Sequence, residues 1–138
     1  MDTINIELIV QASQMDENDI WIQAGLEILI NGNKIYSESD IVNYEIMIES
    51  LYSNGEFFIF SCCCGITECS DWKKGIKVIH KEDKITWING NSEQKWIFDK
   101  KEMLKNFNDI KTEAENFRKY FKSKSIHYVG FGYKKDSE

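Results

Sequence analysis

The opening residues alternate, Ile4-Asn5-Ile6-Glu7-Leu8, and then run apolar through Ile9-Val10, the period-two pattern of a strand. An acidic loop, Asp16-Glu17-Asn18-Asp19, separates it from a second strand within Ile20 to Ile30, carried by Trp21, Leu26, Ile28 and Ile30. Asn31-Gly32-Asn33 tolerates positive φ, so the pattern predicts a tight hairpin turn returning through Lys34-Ile35-Tyr36. Ser39 or Asp40 is placed to cap a short helix over about 40–52, with Asn54-Gly55 as its stop. The periodic face of that helix is Ile41, Tyr44, Ile48 and Leu51. Ile46 falls almost opposite, beside Glu45 and Glu49. Either the helix is covered on both sides, or Ile46 stands among acids as part of a binding patch.

Phe57-Phe58-Ile59-Phe60 is an apolar run suited to a central strand buried on both faces. Ile76-Lys77-Val78-Ile79 and Lys84-Ile85-Thr86-Trp87-Ile88 flank Glu82-Asp83 as a hairpin, and Asn89-Gly90-Asn91 turns again into Lys95-Trp96-Ile97-Phe98. Three strands joined by short turns predict a meander. The strongest periodicity follows. Met103, Leu104, Phe107, Ile110, Ala114, Phe117 and Phe121 form one stripe, which predicts a helix over about 100–122 with Asp99 as its cap. Ile126, Tyr128, Val129, Phe131 and Tyr133 give a last strand, in which Gly130 and Gly132 mark a bulge or a close backbone approach. The expected architecture is α+β: a mostly antiparallel sheet packed by one long and one short helix, in a single domain spanning 1–138.

Composition changes the picture in three places. A chain of 138 residues with 42% hydrophobic positions has enough apolar surface for a core without metals or disulfides. No apolar run reaches the ~20 residues of a membrane span, and the opening lacks a basic stretch followed by an apolar block, so no secretory leader is expected. The four cysteines are bunched at 62, 63, 64 and 69, unlike a secreted disulfide framework, which points to reduced thiols in the cytoplasm. Charge is the third. Residues 1–72 hold one base, Lys34, against thirteen acids, whereas the remainder holds 16 bases and 10 acids. Such sorting suggests a surface that attracts a basic partner and repels nucleic acid and anionic lipid.

The most motif-like segment is Cys62-x-Cys64-Gly65-x-x-x-Cys69. Alternate strand positions share a face, so Cys62 and Cys64 can converge, Cys69 can fold back after the glycine, and His80 can complete a tetrahedral zinc site. The competing reading is buried structural thiols without metal, since the usual C-x2-C knuckles are missing. Adjacent cysteines make poor disulfide partners, and the acids Glu68 and Asp71 work against an activated thiolate. His80 and His127 are the imidazoles that a metal-free nuclease would need, but no spacing distinguishes that arrangement from two unrelated histidines. Phosphate loops, dinucleotide fingerprints and nucleophile elbows are missing from the sequence. No catalytic residue and no cofactor is therefore assigned.

The stretch Phe60-Ser61-Cys62-Cys63-Cys64-Gly65-Ile66-Thr67-Glu68-Cys69, followed by Gly75-Ile76-Lys77-Val78 and Ile85-Thr86-Trp87, resembles a pattern found in small uncharacterised bacterial proteins. There an F-x-C-x-C-G-x-x-x-C segment precedes a hairpin whose second strand ends in tryptophan. The general layout is also similar to immunity proteins of polymorphic toxin and contact-dependent growth inhibition systems. The resemblance implies a non-enzymatic protein that binds and blocks a cognate toxin domain, usually a basic nuclease. It carries over no catalytic residue. An inhibitor of that kind places carboxylates where phosphates would sit. The candidates are Asp16, Glu17 and Asp19 in the first loop, Glu45 and Glu49 on the short helix, and Glu68 and Asp71 after the cysteines, with Trp21 or Trp72 as the aromatic anchor.

Overall fold

The computed structural model describes residues 1–16, 19–38, 40–62, 72–124 and 127–131. Strands β1 (Ile4–Asp16) and β2 (Asp19–Ile30) form a long antiparallel hairpin, because their even-numbered residues supply one continuous apolar face. Ile6, Ile22, Ala24, Leu26, Ile28 and Ile30 are buried on it. Pairing continues past the expected end at Val10, through polar residues, until Asp16 stands opposite Asp19. Asp16 and Asp19, expected in a loop, are instead strand ends: backbone pairing carried the strands beyond the apolar pattern that announced them.

Asn31 and Gly32 adopt φ of 51° and 80°, and Ile30 and Asn33 exchange two backbone hydrogen bonds, which is the expected tight turn. The expected returning strand does not form. Tyr36 instead turns inward, stacks on Phe60 at 4.6 Å between centroids, and accepts the Ile28 N–H through its hydroxyl at 3.0 Å. One side chain thereby satisfies a backbone donor that a neighbouring strand would have taken.

The short helix also begins later than its pattern suggests. Asp40–Val42 is strand β3, and α1 covers Tyr44–Ser50 with Asn43 as its cap, Oδ1 accepting the Ile46 N–H at 3.1 Å. The β-branched pair Ile41-Val42 favours the extended form, which removes Ser39 and Asp40 as caps. The apolar run 57–60 is not one strand. It divides into β4 (Gly55–Phe57) and β5 (Phe60–Cys62), which belong to different sheets, with Ile59 and Phe60 fully buried at the crossing.

Strands β6 (Ile76–Lys81), β7 (Lys84–Asn89) and β8 (Gln94–Asp99) form the expected meander, and β4 adds to its edge in the order β4-β6-β7-β8. Gly75 permits the approach of β4, since a Cβ there would lie 2.7 Å from the Phe57 carbonyl oxygen. Helix α2 (Lys100–Ser123) is capped by Asp99, whose Oδ1 accepts the Glu102 N–H at 3.0 Å. Met103, Phe107 and Ile110 enter the main core, whereas Phe117 and Phe121 cover a smaller cluster around Ile22 and Ala24. Strand β9 (His127–Phe131) lies parallel to β2, with a register shift that places Tyr128 on Ile22 and Gly130 on Gln23, a bulge beside the expected glycine. The fold is α+β, and its pairings are antiparallel except β2–β9.

Two long-range polar contacts close the structure. The Asn106 side-chain amide bonds both the N–H and the C=O of Ile6 at 3.0 Å, so the helix caps the outer edge of β1. Asp2 pairs with β8 through its backbone N–H to the Ile97 carbonyl, while its carboxylate accepts from the Asn31 amide and the Ile97 N–H. These bonds, Asn31 first and Ile97 second, hold the Asp2 carboxyl below the usual carboxylate range.

Asn106→Ala is expected to lower stability by about 1–3 kcal/mol, because both Ile6 groups lose their partner. Alanine is the better helix former, so a raised urea midpoint would refute the contact's role. The Asp2 contribution has the sign of a depressed carboxyl: present above the unfolded value of about 3.9, and lost as pH falls through the lowered folded value. Solvent exposure keeps it under about 1 kcal/mol. The stability difference between wild type and Asp2→Asn should therefore be constant near neutrality and shrink on acidification, measured by denaturation across pH.

Candidate functional site

Helix α1 is fastened from below and bare above. Met47 and Leu51 are buried, Tyr44 stacks on Phe107 at 5.5 Å, and Ser50 Oγ donates to the Met47 carbonyl. Burial pushes the Tyr44 hydroxyl above its ordinary value. Ile46 is half-buried and packs against the main core, so the helix is covered on that side too. What remains outward is Glu45, Glu49 and Tyr52, the last 64% exposed. Spaced four and three apart, these residues form one stripe along the helix and its final turn, in which the Tyr52 N–H bonds the Glu49 carbonyl.

A second acidic surface lies on the hairpin. Glu7 and Glu27 stand directly opposite each other on the face of β1 and β2 away from the buried residues. Like charges in that position oppose one another. Neither was singled out from the sequence, because the pair exists only through the cross-strand register.

Three ion pairs occur among the described residues: Lys34–Glu38 at 3.4 Å, Lys105–Asp109 at 3.8 Å and Arg118–Glu115 at 3.6 Å. Each joins residues three or four apart. None of these three links the acidic first 72 residues to the basic remainder, and Glu7, Glu27, Glu45 and Glu49 take part in none of them.

The other expected contact residues fall as follows. Asp16 and Asp19 are the closing pair of the hairpin, and Trp21 pairs in register with Ser13 and His127; the side chains of these residues lie outside the described set. Glu17, Glu68 and Asp71 lie outside the described residues altogether. Trp72 is 7% exposed, stacks on Phe60 at 5.2 Å, and donates its indole N–H to Asp40 Oδ2 at 2.9 Å. It is a core residue and not an anchor offered to a partner. The exposed aromatic beside the acids is Tyr52, which is not among the expected contact residues and stands at the expected end of the short helix, one turn beyond Glu49.

His80 bridges two elements. Its backbone N–H bonds Asn54 Oδ1 at 2.7 Å, and its Nε2 lies 2.8 Å from the Ser50 carbonyl oxygen, so the ring holds the end of α1 against β6. Cys62 ends β5 opposite Asp40, while Cys64 and Cys69 lie outside the described residues. Among the described residues no three His, Cys, Asp or Glu side chains gather as a metal site would require. An open cleft of about 320 Å³ lies on α2 against Glu113, Asn116, Phe117 and Tyr120. No helix among the described residues is long and apolar enough to cross a membrane.

Comparison with protein-family models, with curated proteins and with solved structures gives no match.

The two aromatic residues separate surface from core in a simple measurement. Tyr52→Ala should change unfolding free energy by no more than about 0.5 kcal/mol, as exposed positions do. Trp72→Ala should cost about 3–5 kcal/mol. Urea titration of both variants checks the assignment, and a large loss with Tyr52→Ala would remove it from the candidate surface.

Proposed function

We propose that this chain is a non-enzymatic binding protein that neutralises a basic protein domain, in the manner of the immunity proteins its layout resembles. The observation that supports it best is that Glu45 and Glu49, with Glu7 and Glu27, stand outside the ion pairs Lys34–Glu38, Lys105–Asp109 and Arg118–Glu115 of the described residues. Unpaired carboxylates on a rigid helix steer a cationic partner and favour it over neutral or anionic ones. Tyr52 adds a large, stiff amphipathic side chain beside Glu45 and Glu49, the residue type that most often carries affinity at an interface.

A nuclease-type toxin is the partner whose chemistry fits best. Its active surface is basic in order to hold phosphates, and the carboxylates of Glu45 and Glu49 along α1, with the acids Asp16, Glu17 and Asp19 of the sequence, would occupy those positions. Inhibition then needs no reaction, no cofactor and no nucleic-acid contact. With its thiols reduced and a toxin acting on intracellular nucleic acid, such a protein would work in the bacterial cytoplasm.

The test is an affinity capture of the tagged protein from its own strain at low and at high salt. A stoichiometric basic partner, released as salt rises, is the expected result. Glu45→Lys combined with Glu49→Lys should then slow association at least about tenfold, and Tyr52→Ala should raise the dissociation rate by a similar factor. Capture of a partner whose binding ignores all three substitutions would move the interface elsewhere. Capture of nucleic acid, or turnover of it, would overturn the reading.

A further inference from the structure

The register of the meander assigns its residues to two faces. Ile76, Val78, Ile85, Trp87, Trp96 and Phe98 are buried on one, in the same core as Met47 of α1 and Met103 of α2. On the other face two rows cross three strands: Lys77, Ile88 and Lys95, and beside them Ile79, Thr86 and Ile97. The three isoleucines are half-buried, yet neither hydrophobic cluster includes them. Lys77 and Lys95 are exposed and take part in none of the ion pairs described above. The acids of this face stand at its rims and are already engaged. Glu56, opposite Lys77, accepts the Gly75 N–H, and Asp99, opposite Lys84, caps α2. What remains is an aliphatic patch held between lysines.

The outer face of the β1–β2 hairpin has the complementary pattern. Glu7 stands opposite Glu27, and the neighbouring pairs on that face bring Ile9, opposite Gly25, and Leu29, opposite Asn5. Ile9 and Leu29 are half-buried and also belong to neither cluster. Two facing carboxylates oppose one another unless a cation comes between them. The chain has such cations, but on another sheet. Both surfaces are pleated and both set aliphatic side chains beside charge, of opposite sign. Sheets packed face to face lie about 10 Å apart, a gap that a lysine and a glutamate span together. No aromatic residue stands in either row of the meander face, so nucleic-acid bases would find nothing there to stack on.

We infer that this chain associates with a second copy of itself, the outer face of the meander in one copy packing against the outer face of the hairpin in the next. Lys77 and Lys95 meet Glu7 and Glu27, while Ile79, Ile88 and Ile97 cover Ile9 and Leu29. Hairpin repels hairpin and meander repels meander, so only unlike faces join. Each copy has one face of each kind, and the assembly closes into a ring or goes on adding copies. Burial of the aliphatic side chains supplies affinity, and the charge pairs set orientation. The contact uses none of Glu45, Glu49 and Tyr52, so it does not rest on the partner-binding reading.

The test is sedimentation of the full-length protein over a range of concentrations at low and at high salt, kept reduced so that no cysteine-linked species counts. Mass should rise with concentration at low salt and fall back toward that of one chain as salt is added. Lys77→Glu with Lys95→Glu makes both faces acidic, and Glu7→Lys with Glu27→Lys makes both basic. All four positions are on solvent-facing sides of their sheets, and circular dichroism checks that both variants fold. Each double variant alone should associate at least about tenfold more weakly than wild type. An equimolar mixture of the two should recover association, because each acidic face then meets a basic one. A wild type that stays a single chain at every concentration in low salt overturns the proposal. So does association that either double variant leaves unchanged, or a mixture no stronger than its components. Monomeric wild type that binds phosphatidylserine vesicles, and loses them with Lys77→Glu and Lys95→Glu, would give the meander face to an anionic lipid surface instead.

Discussion

Three sheets meet at one ring. Phe60 is fully buried in β5, stacks on Tyr36 on one side and Trp72 on another, and meets the edge of Trp87 from the meander at 6.4 Å. Through Tyr36 it is connected to the backbone of β2 at Ile28, and through Trp87 to Phe98 on β8. The two-stranded β3–β5 pair is too small to be stable alone. It exists because the ring at its centre is shared with both larger sheets. The position of α1, which follows β3 directly, and of Asp40, which begins it, depend on that shared contact.

Strongly periodic segments were legible from the sequence, and locally competitive ones were not. The stripe from Met103 to Phe121 repeats over many turns, and Asp99 stands at its head, so α2 and its cap were evident. The meander was marked by turn residues at both bends. Between residues 34 and 62 the signals conflict. Ile41-Val42 suits a strand or the start of a helix, and only pairing with β5 decides. Phe57 to Phe60 reads as one strand, because nothing local reports that its two halves face different sheets. Acids on α1 could be named from charge and period, but Trp72 could not be told from a surface anchor until Asp40 and Phe60 were beside it. The Glu7–Glu27 opposition depends on register, which a hairpin tip of ambiguous length leaves open.

The electrostatic character of the surface follows from where the salt bridges are. Pairs within one turn or one short loop neutralise locally and contribute little to stability. Pairs between distant segments would have mixed the two halves of the chain and flattened its field. Among the described residues, Glu7 and Glu27 on the hairpin and Glu45 and Glu49 on α1 stand outside the three local pairs, while α2 remains rich in lysine. A protein built in this way has direction as an electrostatic object. It presents different faces to cationic and anionic neighbours although its net charge is a modest −6.

The amide of Asn106 has a consequence in time as well as in space. The edge of β1 is closed by a residue one hundred positions later, and Asp2 waits for Ile97. During synthesis the first hairpin can pair as soon as Asp19 to Ile30 has emerged, but its outer edge stays open until the first turns of α2 have been made. At roughly 5–20 residues per second, that interval lasts several seconds. An unclosed strand of thirteen residues is a template for other nascent chains. The acids carried along this hairpin, repelling any second copy while the edge is bare, guard the chain before the fold can.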